Sequence, residues 1–297
     1  MNTELVLSQE MSAGPARLRV DVLGGPARDG VVEDMDFLDY RLAEVTMEPS
    51  VTLADEDVIW DVEADKDISY DGRAMRLSGE WTVGAIQKVL VTMLALRMEA
   101  QGLHPSHSSA VRYQGKSILF LGGESNHGKS MGQIEACRRG GLLISTETTV
   151  IDEDVRAVMG SKSVFLREKR AKGTERADKA APTQGVSKFW GDMPTWEEYG
   201  EISPIDVVVL PAIDGNFDPS TKELGSFEAQ FQALHSLQNY FLTNELLAPG
   251  FPMPLTDTEV LRRARAVFVE RFGGERPFFF VRAATPQVLM DEVDKVL

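Results

Sequence analysis

Residues Gly123-Glu124-Ser125-Asn126-His127-Gly128-Lys129-Ser130 fit the pattern G-x-x-x-x-G-K-[ST]. The chemistry this pattern serves is phosphate binding. Gly123 and Gly128 let the backbone fold back, so that its N–H groups approach phosphate oxygens. A helix starting near Lys129 adds the positive end of its dipole. Lys129 would reach the β- and γ-phosphates of a nucleoside triphosphate, and Ser130 would place its hydroxyl on Mg²⁺. The expected nucleotide-contacting set is Gly123, Glu124, Ser125, Asn126, His127, Gly128, Lys129, Ser130 and Met131.

Such a loop works only between a strand and a helix, and both are expected. Ser117–Leu121 reads as a buried strand and Met131–Arg139 as a helix. A Gly-rich turn with an incidental lysine would usually lack that context. Upstream, Gly84–Gln101 carries apolar residues at helical spacing, and Gly102 suits its C-cap. Ala110–Tyr113 and Ser117–Leu121 form a hairpin through Gln114-Gly115. Downstream, Gly140-Gly141 breaks the helix, Leu142–Ser145 is a strand and Thr148–Ile151 is extended. Ile205–Leu210 reads as a central strand ended by Pro211, followed by a helix over Phe227–Leu247. Thr256 or Asp257 is expected to cap a helix through Arg271, with Glu259 as capping-box partner. Phe278–Val281 is the last strand and Pro286–Val296 the last helix.

Residues 1–80 differ in character. They are acidic, with short alternating segments at Leu18–Leu23, Val58–Val62 and Ala74–Leu77 between turn signals. This predicts a β-rich N-terminal lobe (1–80) and a nucleotide-binding domain (81–297). The polar stretch 161–200 is expected to be a mobile segment. The fold class is α/β. The acidic residues Glu33, Asp34, Asp36, Asp39, Glu56 and Asp57 match no oxygen-ligand loop and read as a solvated surface.

The chain has 297 residues, 43% hydrophobic and 26% charged, within the range of ordinary globular proteins. Its net charge of −15 argues against nucleic acid as a partner, because a phosphate backbone needs a basic face. A single cysteine, Cys137, forms no internal disulfide and points to a reducing compartment. No apolar run reaches the ~18–20 residues of a membrane span. Met1–Met11 lacks a basic, signal-like start. A cytoplasmic protein without a membrane partner is expected.

The order of motifs resembles the HPr kinase/phosphorylase family, whose nucleotide-binding core is related to that of phosphoenolpyruvate carboxykinases. Two features carry the resemblance beside the loop. His107-Ser108-Ser109-Ala110-Val111 is similar to the family's His-small-small-Ala-Val segment, and Ser145-Thr146-Glu147 occupies the place of its strand-end acidic pair. The match spans about residues 84–152. The chain departs twice: Asn126 replaces a loop glycine, and Thr146 stands where the first carboxylate would be. The resemblance implies a P-loop-containing HPr kinase-like core, ATP and Mg²⁺ as cofactors, and a homo-oligomer.

The resulting expectation is an ATP-dependent kinase. It would transfer the γ-phosphate to a hydroxyl of a small metabolite or of a peptide or protein serine. Lys129, His107 and Glu147 are the expected catalytic residues, and Ser130 with Glu147 the metal ligands. His107 or Glu147 would act as base. Arg167, Arg170 or Arg176 would supply a cation from the 161–200 segment. Phe189, Trp190 and Trp196 could wall an acceptor pocket, although packing is their default reading. Asp152 is a minor alternative for the metal. The alternative function is a non-catalytic nucleotide-binding regulatory protein, since one carboxylate must serve both metal and base. An NTP hydrolase would lack an evident water-positioning residue.

Overall fold

The computed structural model describes residues 4–33, 35–42, 44–50, 56–122, 127–163, 197–213, 218–240 and 254–297. Residues 123–126 of the loop pattern lie outside them. So do Arg167, Arg170, Arg176, Phe189, Trp190, Trp196 and most of the segment expected to be mobile. Among the described residues the fold is mixed α/β, with two mixed sheets and six helices.

The N-terminal part is β-rich, as its alternation predicts. Strands β1 (Leu5–Ala13) and β2 (Ala16–Leu23) form a hairpin, and a short helix α1 (Asp36–Arg41) leads to β3 (Val45–Pro49). Strands β4 (Val58–Asp61), β5 (Asp67–Tyr70) and β6 (Met75–Ser78) complete a sheet of order β3-β1-β2-β4-β6-β5. On β2 the side chains of Ala16, Leu18, Val20 and Val22 all turn to the core. That period of two is the sequence signature of a half-buried strand.

Helix α2 (Val83–Glu99) joins the two sheets. Thr82 caps it by accepting from the Ala85 N–H at 3.3 Å. The sequence predicts one wide apolar face, yet the helix is buried almost all round. It lies between β2 and the 11-residue strand β7 (Leu103–Tyr113), so opposite faces meet different sheets. One hydrophobic cluster therefore runs from Met11 and Leu18 through Leu90 and Leu94 to Val208 and Phe272.

The second sheet carries β7, β8 (Lys116–Leu121), β9 (Leu142–Ser145), β10 (Thr148–Asp152), β11 (Arg156–Gly160), β12 (Ser203–Pro204), β13 (Val207–Ile213), β14 (Ser220–Glu223) and β15 (Phe278–Ala283). Its order is β12-β11-β10-β7-β8-β13-β15-β14, with β9 paired to β7. Helices α3 (Lys129–Arg138), α4 (Ser226–Gln238), α5 (Glu259–Glu275) and α6 (Pro286–Val293) flank it. Strand alternation divides its centre between two cores. Leu119, Leu121 and Val208 face the α2 side. Ile118, Phe120, Val207 and Val209 face a second cluster with Leu289 and Met290 of α6. A sheet covered on both faces produces the continuous apolar runs seen in β8 and β13.

Several expected boundaries shift. Pro211 does not end β13, which continues to Ile213 and pairs with β15 throughout. β8 pairs with it only at Val207–Val209, so a residue lacking an N–H is tolerated beyond that point. The cap of α5 is Thr258, not Thr256 or Asp257, and its hydroxyl accepts from the Leu261 N–H at 3.3 Å. Glu259 is thus the first helical residue and too early to close a capping box. Helix α5 also runs past Arg271 to Glu275, while α6 stops at Val293. The helix expected to reach Leu247 is α4, described to Gln238; residues 241–253 lie outside the described set.

Candidate functional site

Lys129 begins α3, directly after Gly128. Gly128 has φ +108°, a left-handed conformation, and a Cβ there would lie 2.7 Å from Ile213 side-chain atoms. The position therefore requires glycine both for its backbone angle and for its closeness to the end of β13. The Ile213 N–H also donates to the His127 carbonyl at 3.0 Å, tying the start of α3 to that strand. The first turn of α3 holds no acidic residue, so the positive end of its dipole is uncompensated by side chains there. From this turn the Lys129 side chain crosses the end of β8. A Cβ on Gly122 would sit 3.1 Å from its Cδ, so this second glycine opens the path.

Strand β7 supplies the other side. It pairs with β10 over Leu103–His107 and with β9 from Ala110 onward. The gap between those two partners is Thr146-Glu147, which leaves Glu147 beside His107. The Ser108 N–H donates to the Glu147 carbonyl at 3.1 Å, and the Glu147 and Thr148 N–H groups donate to the Ser161 hydroxyl at 3.1 and 2.9 Å. The corner is thus held by main chain of β7 on one side and by the Ser161 hydroxyl on the other.

Lys129, His107 and Glu147 converge. The Lys129 Nζ donates to Glu147 Oε2 at 2.6 Å, and the His107 Nε2 lies 2.8 Å from Glu147 Oε1. Two further groups come from the N-terminal part. The Arg41 guanidinium lies 3.7 Å from Glu147 Oε1, and the Tyr40 hydroxyl hydrogen-bonds to the same carboxylate. Burial alone would raise the Glu147 carboxyl, but Lys129, His107 and Arg41 together hold it well below the ordinary carboxylate range. Burial lowers the Lys129 ammonium, opposed by Glu147. Burial likewise lowers His107, so its ring is neutral near pH 7. A neutral ring facing Glu147 donates from Nε2–H, and Nδ1 is then a buried acceptor with no hydrogen-bond partner among the described residues. His107 sits inside an 11-residue strand rather than at the start of one, which fixes its ring against the Glu147 corner.

No family model matches the chain, and no curated protein matches it significantly.

The remaining predicted residues fall as follows. Ser130 is half-buried in the first turn of α3. The His127 side chain is exposed, and Met131 is 45% exposed. Asp152 does not join the cluster; it pairs with Arg156 at the β10–β11 turn, with Nε 2.8 Å from Oδ2. Cys137 is buried in α3, where burial raises its thiol and Gln133 donates to its sulfur. Arg41 and Tyr40 were not foreseen. Nothing local marks α1, and its ends become site residues only because the N-terminal sheet docks along α2.

Thr146 has a structural job. It is 3% exposed, and its single hydroxyl proton lies between the Ser161 carbonyl, at 3.0 Å, and the Ser163 carbonyl. A carboxylate there would face two carbonyl oxygens instead of donating to them. Thr146→Asp is therefore expected to lower stability by about 1–3 kcal/mol in urea titration, and to create no metal site.

Proposed function

We propose that this chain is an ATP-dependent, Mg²⁺-requiring phosphotransferase acting on a hydroxyl. The observation that carries the reading is the buried Lys129–Glu147 pair at 2.6 Å, at the start of a helix and the end of a strand, with His107 on the same carboxylate. A lysine of the G-x-x-x-x-G-K-S pattern meeting a strand-end carboxylate is the arrangement a P-loop nucleotide site needs. The resemblance to the HPr kinase/phosphorylase family supports the same reading through His107–Val111 and Glu147.

The donor set fits Mg²⁺. That ion is commonly held by one or two carboxylates together with substrate phosphates, and Glu147 with Ser130 would hold it here. Bound there, it would neutralise charge on the transferred group. Lys129 would exchange Glu147 for phosphate oxygens. His107 would keep the carboxylate oriented through Nε2–H, and His107 or Glu147 would act as the base. The acceptor would be a small metabolite or a serine of a peptide or protein.

A second reading, a nucleotide-binding regulator without catalysis, is favoured by one observation. The position of the missing carboxylate, Thr146, is spent on structure. Calorimetric titration with ATP and Mg²⁺, followed by a phosphotransfer screen over hydroxylated metabolites and peptides, separates the readings. The expected result is binding together with transfer, and Glu147→Gln should reduce transfer by about a hundredfold or more while nucleotide still binds. Absence of nucleotide binding would sink both readings. Binding without transfer to any acceptor, unchanged by Glu147→Gln, selects the regulator.

A further inference from the structure

Two basic side chains converge on Glu147, and they approach different edges of it. Lys129 takes Oε2, from the side of α3. Arg41 lies on the Oε1 edge, beside His107, and comes from the other sheet's connection. Arg41 is the last residue of α1 and only 8% exposed. A surface arginine would gain little from such a contact. Burying one has a desolvation cost that its surroundings must offset.

Those surroundings hold the guanidinium in place through an amide, a ring and a main-chain contact. Its Nη2 donates to Asn239 Oδ1 at 3.1 Å and more weakly to the Asn239 carbonyl at 3.4 Å. Its Cζ lies 4.9 Å from the centre of the Tyr240 ring. Its main-chain carbonyl accepts from the Thr148 hydroxyl at 2.6 Å, one residue beyond Glu147. The Thr148 hydroxyl also bonds the Tyr240 hydroxyl, and Thr92 on α2 donates to the Tyr240 carbonyl at 2.9 Å. Arg41 is thus registered to the Glu147 corner by main chain, by amide and by ring. An arginine held in this way is pre-organised for a planar, bidentate oxyanion.

We propose that Arg41 is the residue that reads the terminal phosphate of the bound nucleotide, so that the N-terminal part completes the site. The inference rests on the nucleotide-binding reading above. Lys129 reaches phosphate from the α3 side, so the Oε1 edge, with Arg41 and His107, borders the far end of the polyphosphate. When phosphate draws Lys129 from Oε2, the Arg41 guanidinium remains beside the carboxylate that faces the terminal group. A diphosphate would not extend to it. This gives the otherwise unexplained docking of α1 onto the strand end a function: discrimination of tri- from diphosphate.

The test compares Mg²⁺-ADP with the Mg²⁺ complex of a β,γ-imido ATP analogue by calorimetry, using the full chain. The proteins are wild type, Arg41→Ala and Arg41→Lys. Arg41→Ala is expected to weaken the imido analogue by about tenfold or more and ADP by less than about twofold, as loss of a charge-assisted phosphate contact predicts. Arg41→Lys keeps the charge but loses the fork, and should recover part of the analogue affinity. It also provides the readout if Arg41→Ala fails to fold. Equal losses for both nucleotides, or no loss for either, would overturn the proposal and leave Arg41 a packing residue. Wild type that binds neither nucleotide overturns the underlying reading instead, and this inference with it.

Discussion

Lys129→Met is expected to weaken Mg²⁺-nucleotide binding at least about a hundredfold, since a charged lysine contributes about 1.5–3 kcal/mol for each phosphate hydrogen bond it makes. Met keeps the length and the apolar stem, so the path across Gly122 stays filled. The ligand-free protein should suffer less than the 3–5 kcal/mol typical of breaking a buried pair. Glu147 would still have His107 at 2.8 Å, Arg41 at 3.7 Å and the Tyr40 hydroxyl. The pH response gives an independent check. Glu147 is held well below its ordinary value, so its stabilisation is present above pH ~4.5 and lost as pH falls through the lowered folded value. Removing Lys129 takes away the largest opposing charge, the carboxyl rises, and the acid loss of stability moves to higher pH. Urea titrations between pH 3 and 7 read that shift. Nucleotide affinity equal to wild type in Lys129→Met would remove the P-loop reading.

Arg265→Met is expected to be among the most destabilising single changes in this chain. Arg265 is 3% exposed on α5 and pairs with two carboxylates at once. Its Nε donates to Glu99 Oε1 at 2.8 Å, and its Nη1 lies 2.9 Å from Asp257 Oδ2, while Nη2 also bonds Glu99. His104, stacked on Phe268 with ring centres 3.9 Å apart, closes the cluster from β7. The group pins the end of α2 to the start of α5. Without Arg265, two buried carboxylates would lack their shared cation. The loss should reach about 3–5 kcal/mol, or roughly 10 °C in Tm for a chain of this size. The sign of the pH effect should also invert. In the wild type the Glu99 carboxyl is lowered, as Arg265 and His104 outweigh burial, so acid removes its contribution. In the variant burial would raise it, and mild acid would stabilise. Adding Glu99→Gln and Asp257→Asn to Arg265→Met should recover most of the loss. A melting temperature within a few degrees of wild type in the single variant would show the cluster to be dispensable.

Residues close in sequence were readable because their physics is local. Gly128 needs a left-handed φ whatever surrounds it, and the strand before the loop pattern and the helix after it carry their own periodicity. The alternation of β2 and β6 and the run of β13 declared themselves in the same way, whereas Val58, Ile59 and Trp60 of β4 are all buried. The caps and ends did not. Thr256 or Asp257 is the cap expected from sequence, but the cap is Thr258, while the Asp257 carboxylate is engaged by Arg265. Pro211 reads as a strand end because its missing N–H is a local fact, whereas the absence of a β8 partner beyond Val209 is not. The apolar face of α2 was visible, but its burial on nearly every side depends on two sheets meeting there.

The candidate site divides along the same line. Lys129, His107 and Glu147 could be nominated from residue type and order, because each sits in a recognisable strand, loop or helix. Their convergence, the 2.6 Å pair and the shared carboxylate come from β7 changing partners between β10 and β9. Arg41 and Tyr40 had no sequence signal at all, since they reach Glu147 only through the docking of distant segments. Thr146 was read as a lost carboxylate, and the fold reveals it as a hydroxyl required by two carbonyls. Backbone conformation and strand or helix periodicity are set by neighbours a few residues away, and so are written in the chain. Charge pairing and hydrogen-bond satisfaction in a buried corner depend on which segments meet, and that is settled only when the whole core packs.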